Sequence, residues 1–328
     1  MTAAAPLLQV EGLHKSFPLG GAFARFRSRR AVDAVAGVDF HIDRHETLGL
    51  VGESGCGKST TAKVLLNLIR PTGGRVVFDG AEIQSMPESG WRHLRRRMQL
   101  VFQDPAGALN PRIRVLEQVG EPLRIHGVCD RPEEADRAAA ALSAVGLDAR
   151  YHDRFPHELS GGQQQRVVIA RALVLEPDLV VCDEPVSALD VSIQAQVVDL
   201  LHRLQDERGL TYLFISHDLS VVREISDRIA VMYLGVIVET GPAEALFAAP
   251  RHPYTKALIS AVPVADPRVR RERILLAGDP PSPSDAPPGC RFHTRCPLAT
   301  EICRSERPAL RDGTPGHAVA CHHAEDAA

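Results

Sequence analysis

The chain alternates short apolar segments with stretches of helical pattern, and this alternation predicts an α/β fold. Residues 105–156 are mainly helical in pattern, including an alanine-rich helix at 133–145 that stops at Gly146. Helices and strands alternate again over 160–240, which indicates a mainly parallel sheet. Apolar and β-branched residues predict the early strands at 7–10, 38–42, 47–51, 75–78 and 98–102.

A glycine-rich loop joins the strand at 47–51 to a helical run at 60–69 and matches the pattern G-x-x-x-x-G-K-S/T. Its glycines let several backbone N–H groups point into one concavity, where the dipole of the following helix adds positive potential. Lys58 can reach the β- and γ-phosphates, and the Ser59 hydroxyl can bind Mg²⁺. A chance glycine-rich turn is the alternative. The flanking strand and helix favour a nucleotide-phosphate site made of Gly52, Glu53, Ser54, Gly55, Cys56, Gly57, Lys58, Ser59 and Thr60.

An apolar run at 179–184 ends in two acids, Asp183 and Glu184. A strand of this composition is buried, and in a nucleotide-binding sheet its carboxyl end meets the phosphate loop. Asp183 is therefore the candidate Mg²⁺ ligand, acting through water. Glu184 is the candidate group that orients or deprotonates the attacking water.

Further polar residues occur where strands and helices begin or end. A second pair of glycines opens a helical run after Ser160, and exposed N–H groups there form another anion-binding arrangement. The residues of this segment are Ser160, Gly161, Gly162 and Gln163. The other candidates are Asp190 at the end of SALD, His217 after the strand at 212–216, and Gln103 after the strand at 98–102.

These segments and their order resemble the ATP-binding subunits of ABC transporters. The resemblance implies an ABC-type P-loop NTPase fold with a helical subdomain and with ATP and Mg²⁺ as ligands. The matching segments, in chain order, are the Walker A loop at 52–60, the Q-loop residue Gln103, the signature LSGGQ at 159–163, Walker B at 180–185, the D-loop at 187–190 and the switch residue His217.

The resemblance also implies a role for each residue. In the family, Walker A of one subunit and the signature of the other enclose each ATP, so the working unit is a dimer. Glu184 and His217 would hold the attacking water and the γ-phosphate. The remaining implied roles are contact of Ser160 and Gly162 with the opposite subunit's nucleotide, communication across the dimer by Asp190, and contact of Gln103 with Mg²⁺ or water.

Phe17 is the candidate for the adenine contact. The family has an aromatic residue near the N-terminus that stacks on the base, and Phe17 in LHKSFP stands at that place. Stacking needs only an aromatic face, so an ordinary core phenylalanine is the alternative.

Longer segments resemble the dipeptide and oligopeptide branch of ABC importers, among them VFQDPAGALNPR and RHPYTKALISAVP. Within that branch the chain is more similar to the second, F-type ATPase than to the first. The implied domains are an ATPase core at 1–104 and 157–245, a helical subdomain at 105–156, and a small cysteine-containing extension at 246–328.

The resemblance implies that ATP hydrolysis by this chain powers peptide uptake. The implied partners are transmembrane permease subunits, a second ABC ATPase that is identical or related, and indirectly an extracellular or periplasmic substrate-binding protein. Other subunits choose the cargo, so nickel and haem are alternatives. A non-transport ABC ATPase is a further alternative, but the long coiled-coil insertion or second cassette typical of that class does not appear.

Seven cysteines occur, and four of them cluster in the tail: Cys290, Cys296, Cys303 and Cys321. Disulfides are rare in cytosolic proteins, and the C-x-x-C pair of structural zinc sites is missing. Four thiolates can hold an iron–sulfur (4Fe-4S) cluster, and some importer ATPases with this tail carry one. We therefore expect such a cluster, with zinc, unligated thiols or a redox protein as alternatives.

The composition fits a soluble globular chain, with 44% hydrophobic residues, 24% charged residues and a net charge of −3. A net charge of this sign gives no signal for nucleic acid. Basic clusters at 25–30 and 92–97 are interpreted as solvated faces. No apolar run approaches the ~20 residues of a membrane span, and the N-terminus lacks a secretory pattern. We therefore expect a peripheral protein at the cytoplasmic face of the membrane.

Overall fold

The computed structural model describes residues 5–18, 31–263, 273–314 and 316–324, so the basic cluster at 25–30 lies outside the described residues. Within the described part, no helix has both the length and the apolar character to cross a membrane. The strands are β1 (Leu8–Pro18), β2 (Ala31–Ile42), β3 (Thr47–Val51), β4 (Gly73–Phe78), β5 (Ala81–Glu82), β6 (Met98–Val101), β7 (Leu179–Asp183), β8 (Thr211–Ser216), β9 (Arg228–Tyr233), β10 (Val236–Pro242), β11 (Arg311–Thr314) and β12 (His317–Val319). The helices are α1 (Lys58–Leu65), α2 (Glu88–Arg97), α3 (Pro105–Ala108), α4 (Val115–His126), α5 (Arg131–Ala144), α6 (Gly161–Leu173), α7 (Val191–Arg208), α8 (Leu219–Ile225), α9 (Ala243–Ala248), α10 (Pro253–Ser260) and α11 (Glu301–Ser305).

The chain divides into two compact units, and the first comprises Met1–Ile42, Leu48–Gln84 and His217–Ala328. In this unit β1 pairs antiparallel with β2 and with β4. Strand β3 pairs in parallel with β9, whose other neighbour, β10, is antiparallel. Every residue of β3 is buried, because β3 is an apolar strand with neither face exposed to solvent. The phosphate loop therefore starts from a rigid strand.

The second unit comprises Asp43–Thr47 and Ser85–Ser216. Its strands β6, β7 and β8 pair in parallel, with Met98 opposite Leu179 and Leu179 opposite Thr211. All residues of β8 are buried, and so are the first four of β7. Helices α4, α5 and α6 pack on one another in the same unit. Asp183 is the last residue of β7, so the first of the two acids lies at the carboxyl edge of these parallel strands.

The predicted strand at 47–51 is present with the same bounds, and the predicted helix at 133–145 is present as α5. The expected parallel pairing is correct for β6–β7–β8 and for β3–β9 but does not extend to β10, β12 and β11, which are antiparallel. The reason for β10 is the two-residue connection between Tyr233 and Val236, which joins antiparallel strands, whereas parallel strands need a long crossover. The tail strand β12 then pairs with β10 through Val319 opposite Glu239. A three-residue strand so far along the chain leaves no sequence signal of its partner.

Candidate functional site

The phosphate loop in the first unit depends on glycine at three positions. Gly52, Gly55 and Gly57 have φ of 154°, 77° and 113°, a region that residues with a side chain rarely adopt. A Cβ at Gly52 would lie 2.1 Å from the carbonyl oxygen of Met232, and one at Gly57 would lie 2.1 Å from that of Ala34. The backbone is therefore curled against its neighbours, as a loop that presents its N–H groups to an anion must be.

Lys58 lies inside this loop. Its side chain is buried, and Nζ donates to the carbonyl oxygens of Gly52 at 2.7 Å and Glu53 at 3.1 Å. Gly57 caps α1, and the Thr61 N–H and hydroxyl both donate to its carbonyl oxygen, at 2.9 and 3.0 Å. The other loop residues lie at the rim or in the first turn of α1, with Ser54 and Gly55 exposed, Ser59 and Thr60 half-buried and Cys56 buried.

Glu53 of the same loop contacts two residues from far along the chain. Its backbone N–H donates to Tyr254 Oη at 2.9 Å, and its carboxylate accepts from the Arg295 guanidinium at 2.9–3.2 Å. Sequence reasoning missed both residues as parts of the site. Tyr254 lies within RHPYTKALISAVP, a segment that indicates the importer branch, and Arg295 lies in the cysteine-containing tail, but no spacing links either of them to Glu53.

In the second unit the structure brings Gln103 and Glu184 together. Gln103 Nε2 donates to Glu184 Oε2 at 2.9 Å and lies 3.4 Å from Ser187 Oγ. Glu184 has φ of 50°, and its N–H donates to the carbonyl oxygen of Ile215 at 2.9 Å. A left-handed backbone at a residue other than glycine costs on the order of 1 kcal/mol or more and occurs preferentially at functional sites. The left-handed backbone sets the direction in which the Glu184 side chain leaves the end of β7.

The predicted signature residues form the exposed start of α6. Ser160 Oγ accepts from the Gln163 N–H at 3.4 Å, and Gln163 Oε1 accepts from the Ser160 N–H at 2.9 Å. This capping box leaves the N–H groups of Gly161 and Gly162 at the positive end of a 13-residue helix. A Cβ at Gly162 would lie 2.6 Å from Ile193 Cγ2, so α6 and α7 approach closely there.

Asp190 caps α7, accepting from the Ile193 N–H at 3.0 Å and the Ser192 hydroxyl at 2.8 Å. The Ser192 hydroxyl is the main cause that lowers the pKa of Asp190, and the backbone N–H of Ile193 lowers it further. The neighbouring Val191 side chain is 81% exposed. Asp190 is thus a fixed anion beside an exposed apolar residue.

His217 and Phe17 lie in the first unit, and both are exposed. Phe17 is 37% exposed, so it is not a core residue, and Lys15 Nζ lies 4.9 Å from its ring centroid. One face of this ring is therefore already used by a cation.

The predicted iron–sulfur site is wrong, and the zinc alternative is wrong with it. Within the part of the chain that the structure describes, which includes Cys290, Cys296, Cys303 and Cys321, no three or more Cys, His, Asp or Glu side chains are grouped to hold a metal ion. Burial, together with the charges of the other three cysteines, raises the pKa of Cys290 to about 11. Burial also raises the pKa of Cys296.

The tail is organised by ordinary contacts instead of a metal. The Cys290 N–H donates to the Cys303 carbonyl oxygen at 2.8 Å, and the His293 N–H donates to the Cys290 carbonyl oxygen at 3.0 Å. Phe292 between them is buried against aromatic rings. Clustering of cysteines in sequence therefore does not place them in a metal-binding geometry.

Two families match the chain, over different parts of it. Residues 35–187 match the family described as ABC transporter. Residues 238–303 match the family described as oligopeptide/dipeptide transporter, C-terminal region. The second match includes Tyr254 and Arg295.

Relatives match along nearly the whole chain. The oligopeptide transport ATP-binding protein AppF of Bacillus subtilis (strain 168) is 49% identical over 328 residues, which covers 98% of this chain and 99% of that protein. A putative peptide import ATP-binding protein of Brucella ovis is 51% identical over 316 residues, which covers 96% of this chain and 97% of that protein.

Solved ATP-binding cassettes have a similar fold. The cassette MJ0796, solved as a dimer in a post-hydrolysis state bound to ADP and Pi, has a TM-score of 0.64 and 30% identity, over 72% of this chain and 98% of that one. CbiO1 from Clostridium perfringens, part of the ABC transporter complex CbiONQ, has a TM-score of 0.65 and 29% identity, over 75% and 92% of the two chains. The likeness confirms the predicted α/β fold class.

Proposed function

The chain belongs to the ABC transporter family, among the ATP-binding subunits of oligopeptide and peptide importers, and from this we propose that its ATP hydrolysis powers peptide uptake through a membrane permease. The observation that carries the proposal is the curled loop around a buried Lys58, in a chain about half identical to peptide-import ATPases along its whole length. The reaction is ATP plus water to ADP plus phosphate. Catalysis of this kind consists mostly of positioning and charge neutralisation.

The loop residues fit the phosphates of ATP. The backbone turns at Gly52 and Gly57 leave no room for a side chain, which keeps the concavity open to an anion. Lys58 would exchange its contacts with the Gly52 and Glu53 carbonyl oxygens for the β- and γ-phosphates. Phe17 would stack on adenine with the ring face that Lys15 does not cover.

Three oxygen-bearing side chains fit the preference of Mg²⁺ for hard ligands: Ser59, Asp183 and Gln103. When bound, Mg²⁺ would neutralise negative charge on the phosphates. Among these ligands, Gln103 is the one whose amide already contacts Glu184, at 2.9 Å, so it would link the metal to the catalytic carboxylate.

Glu184 would orient the attacking water and accept its proton, and His217 would hold the γ-phosphate. The left-handed backbone at Glu184 supports this assignment, because strained backbone conformations of this kind cluster at functional sites. The Gln103 amide donates to one oxygen of this carboxylate and so fixes its orientation.

A second ABC ATPase, identical or related, would complete each site. The exposed N-terminus of α6 at Ser160, Gly161, Gly162 and Gln163 would contact the nucleotide of the opposite subunit. Val191, beside Asp190, is 81% exposed and would lie at this interface. The dimeric state of the solved MJ0796 cassette supports the same assembly.

We further propose that the chain is the F-type ATPase of its importer and that it lies peripherally at the cytoplasmic face of the membrane. The likeness to AppF supports the first point. Permease subunits would contact it there, and a substrate-binding protein outside the membrane would deliver the peptide.

The test is purification of the complex through a tag on this chain, followed by mass spectrometry of its subunits and bound cargo. We expect permease subunits, a peptide cargo and Mg²⁺-dependent ATP hydrolysis that Lys58→Ala abolishes. Nickel or haem as cargo would contradict the peptide assignment. Absence of permease subunits from an intact, ATP-hydrolysing preparation would contradict the transport role itself.

A further inference from the structure

The C-terminal part of the chain contacts the phosphate loop at Glu53. Arg295 Nη1 lies 2.9 Å from Glu53 Oε2 and 3.2 Å from Oε1, and its Nη2 lies 3.2 Å from Oε1. This is a two-pronged guanidinium–carboxylate pair, the strong and directional form of ion pair. The side chain of Arg295 is 7% exposed and that of Glu53 is 29% exposed, so water screens the pair only partly.

A second contact holds the backbone of the same residue. The Glu53 N–H donates to Tyr254 Oη at 2.9 Å. Tyr254 is fully buried, and its position is fixed because the Tyr254 N–H donates to His252 Nδ1 at 3.1 Å. Glu53 is thus held by its side chain and by its main chain from two separate segments of the C-terminal part.

An aromatic cluster keeps both of these segments in place. The ring of Tyr233 lies 4.7 Å from that of Tyr254 and 5.2 Å from that of Phe292, both edge to face. The guanidinium carbon of Arg295 lies 6.0 Å from the Tyr233 ring centroid. Edge-to-face packing of buried rings restricts their motion, so the two groups that hold Glu53 are themselves rigid.

We propose that Arg295 and Tyr254 are positioning residues for ATP binding, which act through Glu53 to hold the phosphate loop in its ligand-ready curl. This inference rests on the proposed function and extends it: the C-terminal part of the chain, at residues 253–260 and 287–296, sets the affinity of the ATP site. Both residues would act without touching the nucleotide. Their effect travels through the Glu53 carbonyl oxygen, which already accepts from Lys58 Nζ at 3.1 Å.

The physical reason is preorganisation. A loop with three glycines at positive φ can adopt many conformations. Conformations without the curl cannot bind phosphate, so their population lowers the affinity for ATP. Two fixed contacts at Glu53 remove those conformations in advance. Loss of the contacts should therefore weaken ATP binding and raise KM, with little change in the chemical step, because Glu184 lies in the other unit.

The experiment measures ATP binding and steady-state hydrolysis by the full-length chain in its importer complex, for Arg295→Met, Arg295→Lys and Glu53→Gln. We expect Arg295→Met to raise Kd and KM for ATP on the order of tenfold with kcat changed less than about twofold. Arg295→Lys, which keeps the charge but makes fewer contacts, should recover part of the loss. The double variant Arg295→Met/Glu53→Gln should bind ATP no more weakly than the weaker-binding of the two single variants, because both substitutions remove the same ion pair.

The matched control is Arg304→Met, since Arg304 is in the same C-terminal part and its ion pair, with Glu301, is exposed. Its Kd should equal that of the wild-type protein. Thermal unfolding without nucleotide separates loss of fold from loss of affinity, and an ATP-induced rise in Tm reports binding independently of turnover. If Arg295→Met does not fold, Glu53→Gln on the half-exposed loop provides the same comparison.

Unchanged Kd and KM in both Arg295→Met and Glu53→Gln, with wild-type protein that binds ATP normally, would overturn the inference and leave the proposed function intact. Additive losses in the double variant would also overturn it, because Arg295 would then act elsewhere. Wild-type protein that neither binds nor hydrolyses ATP would overturn the proposed function, and the inference with it.

Discussion

Residues with strong chemical constraints were the predictable ones. The pattern around Lys58 and Ser59 follows from the need to wrap a phosphate, and the two acids after an apolar run follow from the position of a strand end. The contacts of Gln103 with Glu184 and of Arg295 with Glu53 join residues 81 and 242 positions apart. Such pairs arise from the tertiary fold, so a single sequence contains no signal that connects them.

Glu184 provides the sharpest residue-scale prediction. Glu184→Gln keeps the size and the hydrogen bond from Gln103 but removes the base, so ATP hydrolysis should fall by at least ~10²-fold while ATP binding persists. The closed ATP-bound dimer should accumulate. The rate of phosphate release in single-turnover experiments checks this, with Glu207→Gln on the exposed face of α7 as the control. Turnover within a few fold of the wild type would exclude Glu184 as the base.

At the scale of elements, apolar periodicity predicted β3 and α5 well because each has a clear boundary signal, such as Gly146 after α5. Strand β12 has only three residues and no pattern that points to its partner, so its pairing with β10 was not predictable. The start of α10 is a further case, since its cap is a histidine. His252 Nδ1 accepts from the Tyr254 N–H at 3.1 Å, and the His252 backbone N–H donates to Glu239 Oε2 at 2.9 Å.

This cap predicts a loss of stability in acid. Burial lowers the pKa of His252 from 6.5 to about 4, although the Glu239 carboxylate raises it. Between these values the unfolded chain binds a proton that the native chain does not, so stability falls as the pH falls from about 6.5 towards 4. By pH 5 the loss should be up to about 2 kcal/mol.

Denaturant unfolding at pH 7 and pH 5 checks the effect of His252. His252→Asn is the matched variant, because asparagine can also cap a helix but does not titrate in this range. The drop in midpoint between the two pH values should be smaller in the variant than in the wild type. An equal drop in both would show that the pKa of His252 is the same in the native and the unfolded chain, which would contradict the prediction.

At the scale of the whole molecule, fold class and family follow from motifs in order along the chain, and both are confirmed by the relatives. The cysteine tail is where this reasoning gave a wrong result. Residue type alone indicated a metal, but the tail contains backbone hydrogen bonds of its own and a buried Phe292, and its described side chains form no metal site. Ligand geometry depends on side-chain directions, which spacing constrains only loosely.

ATP-driven uptake in proteoliposomes is the most direct test of the central claim that hydrolysis by this chain drives peptide import. The purified complex would be reconstituted with its substrate-binding protein and a labelled peptide. The account predicts uptake that requires ATP and Mg²⁺ and is lost in complexes in which only this chain carries Lys58→Ala. Full uptake with that variant, or uptake that is independent of ATP, would contradict it.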